Sequence, residues 1–187
     1  MTFGTRDTVL PATGAQYRLE RANAAAVVAS LGGALRSYTV ADTQLVETYP
    51  DENIPPSAAG ILLAPWANRI AGARWELDGQ EQQLDVTEPK LQNAIHGLLR
   101  NTGYTALERT ADSVVLSAEI FPQHGYPFHL LHSVRYSLDN DGGLRVRQGL
   151  TNIGAQKAPF ALGAHPFLRL GDVPSEDLTL HVTPPPG

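Results

Sequence analysis

The chain has 187 residues, of which 42% are hydrophobic and 18% are charged, and its net charge is −5 at pH 7. This composition excludes an intrinsically disordered chain and gives no electrostatic reason to expect a nucleic acid or a membrane as a partner. Because the chain has no cysteine, disulfides, zinc–thiolate sites and thiol chemistry are excluded as well.

The sequence contains no segment typical of export or membrane insertion. Residues 1–10 lack the basic and apolar parts of a secretory leader. The mildly apolar stretch 24–35 is interrupted by Ser30, Gly32 and Gly33, and it is too short to cross a bilayer. We therefore expect a cytoplasmic protein.

Short alternating or apolar runs, separated by Gly, Pro, Asn and Asp, predict an all-β chain, either a sandwich or a barrel. The pair Asp78-Gly79 favours a tight hairpin turn, and residues 50–57 and 88–96 are predicted loops. In chain order, the predicted strands are 16–21, 25–30, 35–40, 61–63, 74–77, 82–86, 104–109, 114–120, 128–138, 144–150, 160–162 and 178–182.

His165 is the candidate for a catalytic side chain. It follows the apolar run 160–162 and Gly163, and Pro166 disfavours helical backbone at His165, which predicts extended backbone at a strand end. An imidazole held in such a place suits proton transfer near neutral pH. The alternative is a core histidine with no role in chemistry.

A second group of residues has the chemistry of a sugar site. Trp66 offers an aromatic face for the C–H surface of a sugar, and Asn68 and Arg69 offer planar donors for pairs of hydroxyls. His96, beside Gly97, adds a second imidazole. The alternatives are core packing for Trp66 and a surface ion pair for Arg69, and the apolar sequence around Arg69 disfavours the ion pair.

The six histidines do not predict a metal site. His129 and His132 are three residues apart on a predicted strand, so they point to opposite faces and cannot chelate one ion. His124 and His181 are interpreted as surface residues. The sequence also has no phosphate-binding loop, dinucleotide motif or serine-hydrolase motif, so we expect neither a metal nor a cofactor.

Four segments occur in an order that resembles the aldose 1-epimerase (galactose mutarotase) family, from about Gly14 to the C-terminus. The resemblance implies a large antiparallel β-sandwich of the galactose mutarotase supersandwich type, with a sugar in an open cleft. It implies that His165 protonates the ring oxygen and that Arg69 and His96 bind the sugar. The segments are PWANRI at 65–70, AIHG at 94–97, GYPF at 125–128 and GAHPF at 163–167.

The resemblance also implies that part of the machinery is missing. The family's general base is a glutamate in a C-terminal portion, and a sugar-binding aspartate comes from the same region, but neither matches a residue here. Glu88 and the other glutamates of the hairpins and turns fit no catalytic motif. We therefore expect residues 1–187 to form a single, incomplete β-sandwich domain, the N-terminal portion of the fold, with a Pro-rich end at 183–187 and the base beyond Gly187. Such a chain should be catalytically poor and prone to associate through open sheet edges.

Three functions remain open at this point. The first is an isomerase, an aldose 1-epimerase that interconverts α and β anomers of a free aldose by general acid–base ring opening and closing. The second is a non-catalytic carbohydrate-binding module. The third is a sugar-phosphate (hexose-6-phosphate) 1-epimerase, which an extra basic residue in the cleft, Arg36 or Arg100, would favour. Each has a small-molecule sugar as partner, and neither the aldose nor the oligomeric state is predicted.

Overall fold

A computed structural model describes residues 10–182. Residues 1–9, which include most of the stretch considered for a leader, and the Pro-rich end at 183–187 lie outside this range. The strands are β1 Gln16–Arg21, β2 Ala24–Ala29, β3 Leu35–Val40, β4 Thr43–Gln44, β5 Leu62–Leu63, β6 Arg69–Ile70, β7 Arg74–Leu77, β8 Gln80–Gln83, β9 Ala94–Ile95, β10 Thr105–Arg109, β11 Ser113–Ile120, β12 Leu130–Leu138, β13 Leu144–Asn152 and β14 Gly163–Ala164.

Helical structure in the described residues is limited to three single-turn 3₁₀ helices. None of them has the length or the hydropathy needed to cross a membrane. They are Pro56–Ala58, Ala71–Ala73 and Ser175–Asp177.

Two antiparallel four-stranded sheets form the framework. The first has the order β1-β2-β3-β4 and the second the order β10-β11-β12-β13. The all-β, antiparallel prediction is therefore confirmed, and β1 and β3 have the predicted bounds. The β7–β8 hairpin turns at Asp78 and Gly79 with φ of 50° and 76°, the left-handed backbone that a type I′ turn requires.

Alternation along β12 determines what the second sheet buries. Leu130, His132, Val134 and Tyr136 are each no more than 1% exposed, and they share the face on which the alternation predicted them. Leu130, Val134 and Tyr136 belong to one apolar cluster with residues of β1 and β2 from the first sheet. The Tyr136 hydroxyl donates a hydrogen bond of 2.8 Å to the Gly33 carbonyl, which ties the core of the second sheet to the first.

Four predictions about elements were wrong. The strand predicted at 82–86 begins two residues earlier, as β8, because the two-residue turn lets the pairing start at Gln80. The run 160–162 is not a strand, because the Ala161 N–H bonds to the Pro65 carbonyl without forming a ladder. The strand in this region is β14, which follows the run. The run 178–182 alternates but has no strand beside it among the described residues, and Leu180 is 72% exposed. The predicted loop 88–96 contains β9, because the backbone at Ala94–Ile95 pairs with β6.

Two short pairings outside the four-stranded sheets position the site. Strand β14 pairs with β5, with Gly163 opposite Leu63. Strand β6 pairs with β9, with Arg69 opposite Ile95. These pairings bring together segments that are far apart in the sequence, and each ends beside a polar residue of the cleft described next.

Candidate functional site

Four of the five predicted site residues line one cleft of about 820 Å³. They are Asn68, Arg69, His96 and His165. This volume lies within the range typical of small-molecule sites. Arg69, His96 and His165, which are far apart in the sequence, therefore converge on one concave surface.

The β6–β9 pairing brings His96 beside Asn68. The His96 N–H donates to the Asn68 carbonyl at 2.9 Å. Both residues have left-handed backbone, with φ of 59° at Asn68 and 64° at His96. Non-glycine residues adopt this conformation rarely, and they do so mostly where the surrounding structure forces it. Here the pairing of the two strands is what holds both residues in it.

Gly97 allows the chain after His96 to pass against residue 64. A Cβ at Gly97 would lie 2.0 Å from the Ala64 carbonyl oxygen, and the φ of Gly97 is 75°. That same carbonyl accepts the Leu98 N–H at 2.8 Å. Only glycine permits this approach without displacing the backbone, so the Gly in the sequence His-Gly determines where the imidazole of His96 lies.

His165 is fixed through its backbone at the end of β14. Its N–H donates to the Ile61 carbonyl at 3.0 Å, and its carbonyl accepts the Gly60 N–H at 2.7 Å. The side chain is partly exposed. The ring lies 5.1 Å from that of His96, nearly edge to face, and 5.3 Å from that of Phe167. The imidazole is thus held by neighbours and still faces solvent.

Arg69 forms an ion pair, which the sequence had disfavoured. Its Nε lies 2.8 Å from Oε2 of Glu88, and its Nη2 lies 2.7 Å from Oε1. Asn93 donates a further hydrogen bond to Glu88 at 3.0 Å. The hydrogen bonds from Arg69 and then from Asn93 lower the pKa of Glu88 to about 2. The carboxylate is therefore charged at neutral pH and orients the guanidinium.

The two imidazoles of the cleft differ in their electrostatic surroundings. Burial lowers the pKa of His96, and the positive charges of His165, Arg100 and Arg69 lower it further, while Glu88 opposes them. His96 is therefore neutral at neutral pH. Its Nδ1 is buried, and within residues 10–182 no group hydrogen-bonds to it.

Of the two arginines considered for a phosphate site, Arg100 lines the cleft and Arg36 does not. Arg36 bonds to the Tyr49 carbonyl at 2.9 Å and forms an ion pair with Asp51. Within residues 10–182, Arg100 has no carboxylate partner. Its positive charge is therefore not neutralised by a neighbouring acidic residue of this part of the chain.

Trp66 does not line this cleft. The indole is 8% exposed and belongs to the core, where its ring lies 6.0 Å from that of Tyr126. Trp66 therefore packs in the core, which is the alternative that the sequence had left open for it. The physical reason is that Trp66 and Arg69 sit in one segment but face opposite ways, with the apolar side chain turned inward.

Sequence reasoning missed Glu88 and Phe167 as cleft residues. Glu88 is 19 positions from Arg69, and only the β6–β9 pairing brings them together, so no local pattern marks it. Phe167 stood in a quoted segment, but nothing in that segment indicated that its ring would pack beside His165. Among the described residues, no group of three or more His, Cys, Asp or Glu side chains is arranged to hold a metal ion.

Comparisons of sequence point to one family. Residues 15–183 match the family described as Aldose 1-epimerase. The uncharacterized protein YihR of Escherichia coli K12 is 40% identical over 143 residues, which cover 76% of this chain and 46% of that protein. YphB of the same organism is 26% identical over 154 residues, covering 82% of this chain and 52% of its own length. The chain thus spans about half the length of the curated relatives it matches.

Solved structures share the fold. The GalM/aldose epimerase homologue from Caenorhabditis elegans superposes with a TM-score of 0.73 at 19% identity, covering 83% of this chain and 51% of its own. A galactose 1-epimerase from Lactobacillus acidophilus superposes with a TM-score of 0.67 at 20% identity, covering 82% of this chain and 48% of its own. At these identities the likeness is one of architecture, which is that of the galactose mutarotase-like β-sandwich.

Proposed function

Because the chain belongs to the aldose 1-epimerase family, we propose that its cleft binds a free aldose and acts in the interconversion of the α and β anomers. The observation that carries this proposal is the juxtaposition of the His96 and His165 rings, 5.1 Å apart, in a cleft that also contains Arg69. Two imidazoles and a fixed guanidinium supply a proton donor and directional hydrogen bonds without a redox group or a nucleophile.

In the proposed reaction, His165 gives its proton to the ring oxygen of the sugar while the bond from C1 to that oxygen breaks. A base takes the proton of the C1 hydroxyl, which leaves an open-chain aldehyde. Rotation about the C1–C2 bond and the reverse proton transfers close the ring as the other anomer. His165 is proposed for this role because its partly exposed ring lines the cleft beside the ring of His96, 5.1 Å away.

The remaining cleft residues are proposed to bind the sugar hydroxyls. The two bonds from Arg69 to Glu88 use Nε and Nη2. The remaining nitrogen, Nη1, makes a long contact of 3.4 Å with Asn68, so it can donate to a sugar hydroxyl. His96, being neutral, offers one ring nitrogen as donor and the other as acceptor. Asn68 contributes an amide beside them.

Glu88 is not proposed as the general base. It is the carboxylate that lines the cleft within residues 10–182, but its pKa of about 2 makes it a weak proton acceptor. Its bonds to Arg69 and Asn93 also occupy its oxygens. We propose instead that the base lies beyond Gly187, as the family resemblance implies, so that residues 1–187 supply the acid and part of the sugar site.

The test combines NMR and polarimetry on this chain with several free aldoses. We expect at least one aldose to shift the ring signals of both His96 and His165, and we expect anomer exchange faster than in buffer. A positioned acid without its base contributes at most about 10²–10⁴-fold. If no aldose shifts either ring, the cleft is not a sugar site. Binding without any acceleration would instead identify a carbohydrate-binding module.

A second candidate, a sugar-phosphate epimerase, is favoured by Arg100. Its guanidinium lines the same cleft without a carboxylate partner among the described residues. A charge-assisted hydrogen bond from it to a phosphate is worth about 1.5–3 kcal/mol, which corresponds to a tenfold or larger gain in affinity. We therefore propose comparing the dissociation constants of a hexose and its 6-phosphate.

For this second candidate, the 6-phosphate should bind more tightly to the wild type, and Arg100→Gln should remove the difference. Arg74→Gln is the matched control, because Arg74 is exposed on β7 and bonds to Gln83 instead of lining the cleft. Equal affinities of the wild type for the two sugars would reject a phosphate subsite and leave the free aldose as the substrate class.

A further inference from the structure

A chain of three hydrogen bonds, one buried and two partly buried, leads from the core of the second sheet to the strand that precedes His165. The Tyr104 hydroxyl lies 2.8 Å from Nδ1 of His132, and Nε2 of His132 lies 3.1 Å from Oε1 of Gln148. The Gln148 amide nitrogen then donates to the Gly163 carbonyl at 3.1 Å. Gly163 is the first residue of β14, and His165 follows that strand.

Only one arrangement of protons satisfies all three bonds. Because the amide nitrogen of Gln148 donates to Gly163, its oxygen must accept, so Nε2 of His132 carries the proton. Nδ1 of His132 is then an acceptor, and the Tyr104 hydroxyl donates to it. Each bond in the chain therefore fixes the direction of the next, and the last one ends on the backbone beside the cleft.

The surroundings keep Tyr104 and His132 in the protonation states that this chain of bonds requires. His132 is 0% exposed and Tyr104 is 4% exposed. Burial lowers the pKa of His132, against the effect of its bond to Gln148, and burial raises the pKa of Tyr104. The imidazole is thus neutral and the phenol protonated at neutral pH. Ser117 also donates to the His132 carbonyl at 3.0 Å, which holds the backbone of β12 at this point.

Strand β14 depends on such support because it is only two residues long. Its pairing with β5 consists of Gly163 opposite Leu63 and Ala164 opposite Leu62. The Gln148 side chain is the contact that joins β14 to the second sheet through a directional bond. A side chain that holds Gly163 also limits where the backbone of His165 can lie, two residues later.

We propose that Gln148 is a positioning residue for His165, acting through Gly163 and held in place by His132 and Tyr104. It has no contact with the cleft and belongs to neither the acid nor the sugar-binding residues. The effect of Gln148 on catalysis rests on the proposed function. Its effect on the position of His165 can be tested without any sugar.

The diagnostic variant is Gln148→Glu. A carboxylate still accepts the proton of Nε2 of His132, but it cannot donate to the Gly163 carbonyl, so it cuts the chain at its last bond. Arg147→Gln is the matched control, because Arg147 is the preceding residue on β13 and is exposed. Gln148→Met, which has a similar shape and no charge, replaces the Glu variant if that variant does not fold.

The first measurement is hydrogen exchange of the His165 amide, which bonds to Ile61. The internal reference is the Ala26 amide of β2, because Ala26 is buried and pairs within the other four-stranded sheet. Loss of one hydrogen bond of about 1 kcal/mol predicts exchange at His165 faster by about five- to tenfold, with Ala26 unchanged. The ring Cε1–H signal of His165 should shift as well. Equal acceleration at both amides, or none at His165, would reject a positioning role.

The second measurement separates positioning from the proposed function. In the mutarotation assay, Gln148→Glu should lower kcat by about tenfold and leave KM within about twofold, because an acid displaced by 1 Å loses rate more than affinity. A change in KM alone would overturn the inference. If the wild type has no activity, the proposed function fails, and the exchange and ring-signal measurements still decide whether Gln148 positions His165.

Discussion

The guanidinium of Arg69 and the carboxylate of Glu88 form a two-point ion pair at the cleft, with nitrogen–oxygen distances of 2.8 and 2.7 Å. Two parallel bonds fix the plane of a guanidinium, which one bond does not. Glu88 therefore orients Arg69 and restrains its side chain. The sugar, if it binds as proposed, meets an arginine whose orientation is already determined.

The first prediction concerns Glu88→Gln and pH. The pKa of Glu88 is about 2 in the folded protein and 4.5 without its partners. A lowered carboxyl pKa adds stability that is present above pH 4.5 and is lost as the pH falls toward 2. The variant should therefore unfold at lower urea than the wild type at pH 7, and the difference should shrink between pH 4.5 and 2.

The control for this experiment is Glu81→Gln. Glu81 forms a longer ion pair of 3.7 Å with Arg74, and both side chains are more than 60% exposed. Such pairs add little to stability. A stability difference for Glu88→Gln that stays constant from pH 7 to pH 2 would mean that the ion pair is not its cause.

The second prediction concerns His96→Gln. Burial and nearby positive charge lower the pKa of His96 below 6.5 in the folded protein. The unfolded chain then binds a proton that the folded chain resists, so stability decreases as the pH falls below 6.5. The glutamine variant should lose less stability than the wild type between pH 7 and pH 5, as measured by urea unfolding. Parallel losses in the two proteins would contradict the lowered pKa.

The third prediction compares two glycines with similar backbone. Gly97 and Gly72 have φ of 75° and 62°, but a Cβ at Gly97 would lie 2.0 Å from the Ala64 oxygen, whereas one at Gly72 meets nothing within 4 Å. Gly72→Ala should cost about 1–2 kcal/mol through backbone strain alone. Gly97→Ala should cost a further ~1–3 kcal/mol from the clash and should shift the ring signals of His96. Equal losses of stability in the two variants would show that Gly97 is needed only for its left-handed backbone and not for its close approach to Ala64.

The fourth prediction concerns His165→Asn. If His165 is the acid, the variant should lose about 10²-fold in mutarotation rate or all acceleration over buffer, with an unchanged circular dichroism spectrum. His124→Asn is the control, because His124 is a surface histidine with a 70% exposed side chain. Turnover near that of the wild type would remove His165 from the mechanism.

Local patterns predicted the elements whose partners are close in sequence. The turn Asp78-Gly79 determines the β7–β8 hairpin, and alternation along the predicted strand put His129 and His132 on opposite faces, of which the structure buries that of His132. In both cases the information is contained within about ten residues. Predicting these elements required no knowledge of the rest of the fold.

The site itself was predicted in part. The segments containing Arg69, His96 and His165 were recognised from their residues, but the direction of each side chain was not, and Trp66 was expected on the wrong side of its segment. Glu88 was missed because its relation to Arg69 depends on the β6–β9 pairing. Pairings of two residues carry too little sequence pattern to be predicted locally.

The pairing of β5 with β14 also has a consequence for the order in which the protein folds. It joins Leu63 to Gly163, about a hundred residues apart, whereas the β12–β13 hairpin closes between Leu138 and Leu144. Closing a longer loop costs more chain entropy and slows the contact. During synthesis at about 5–20 residues per second, Arg69 and His96 leave the ribosome several seconds before His165, so the two halves of the cleft can meet only after most of the described chain has been made.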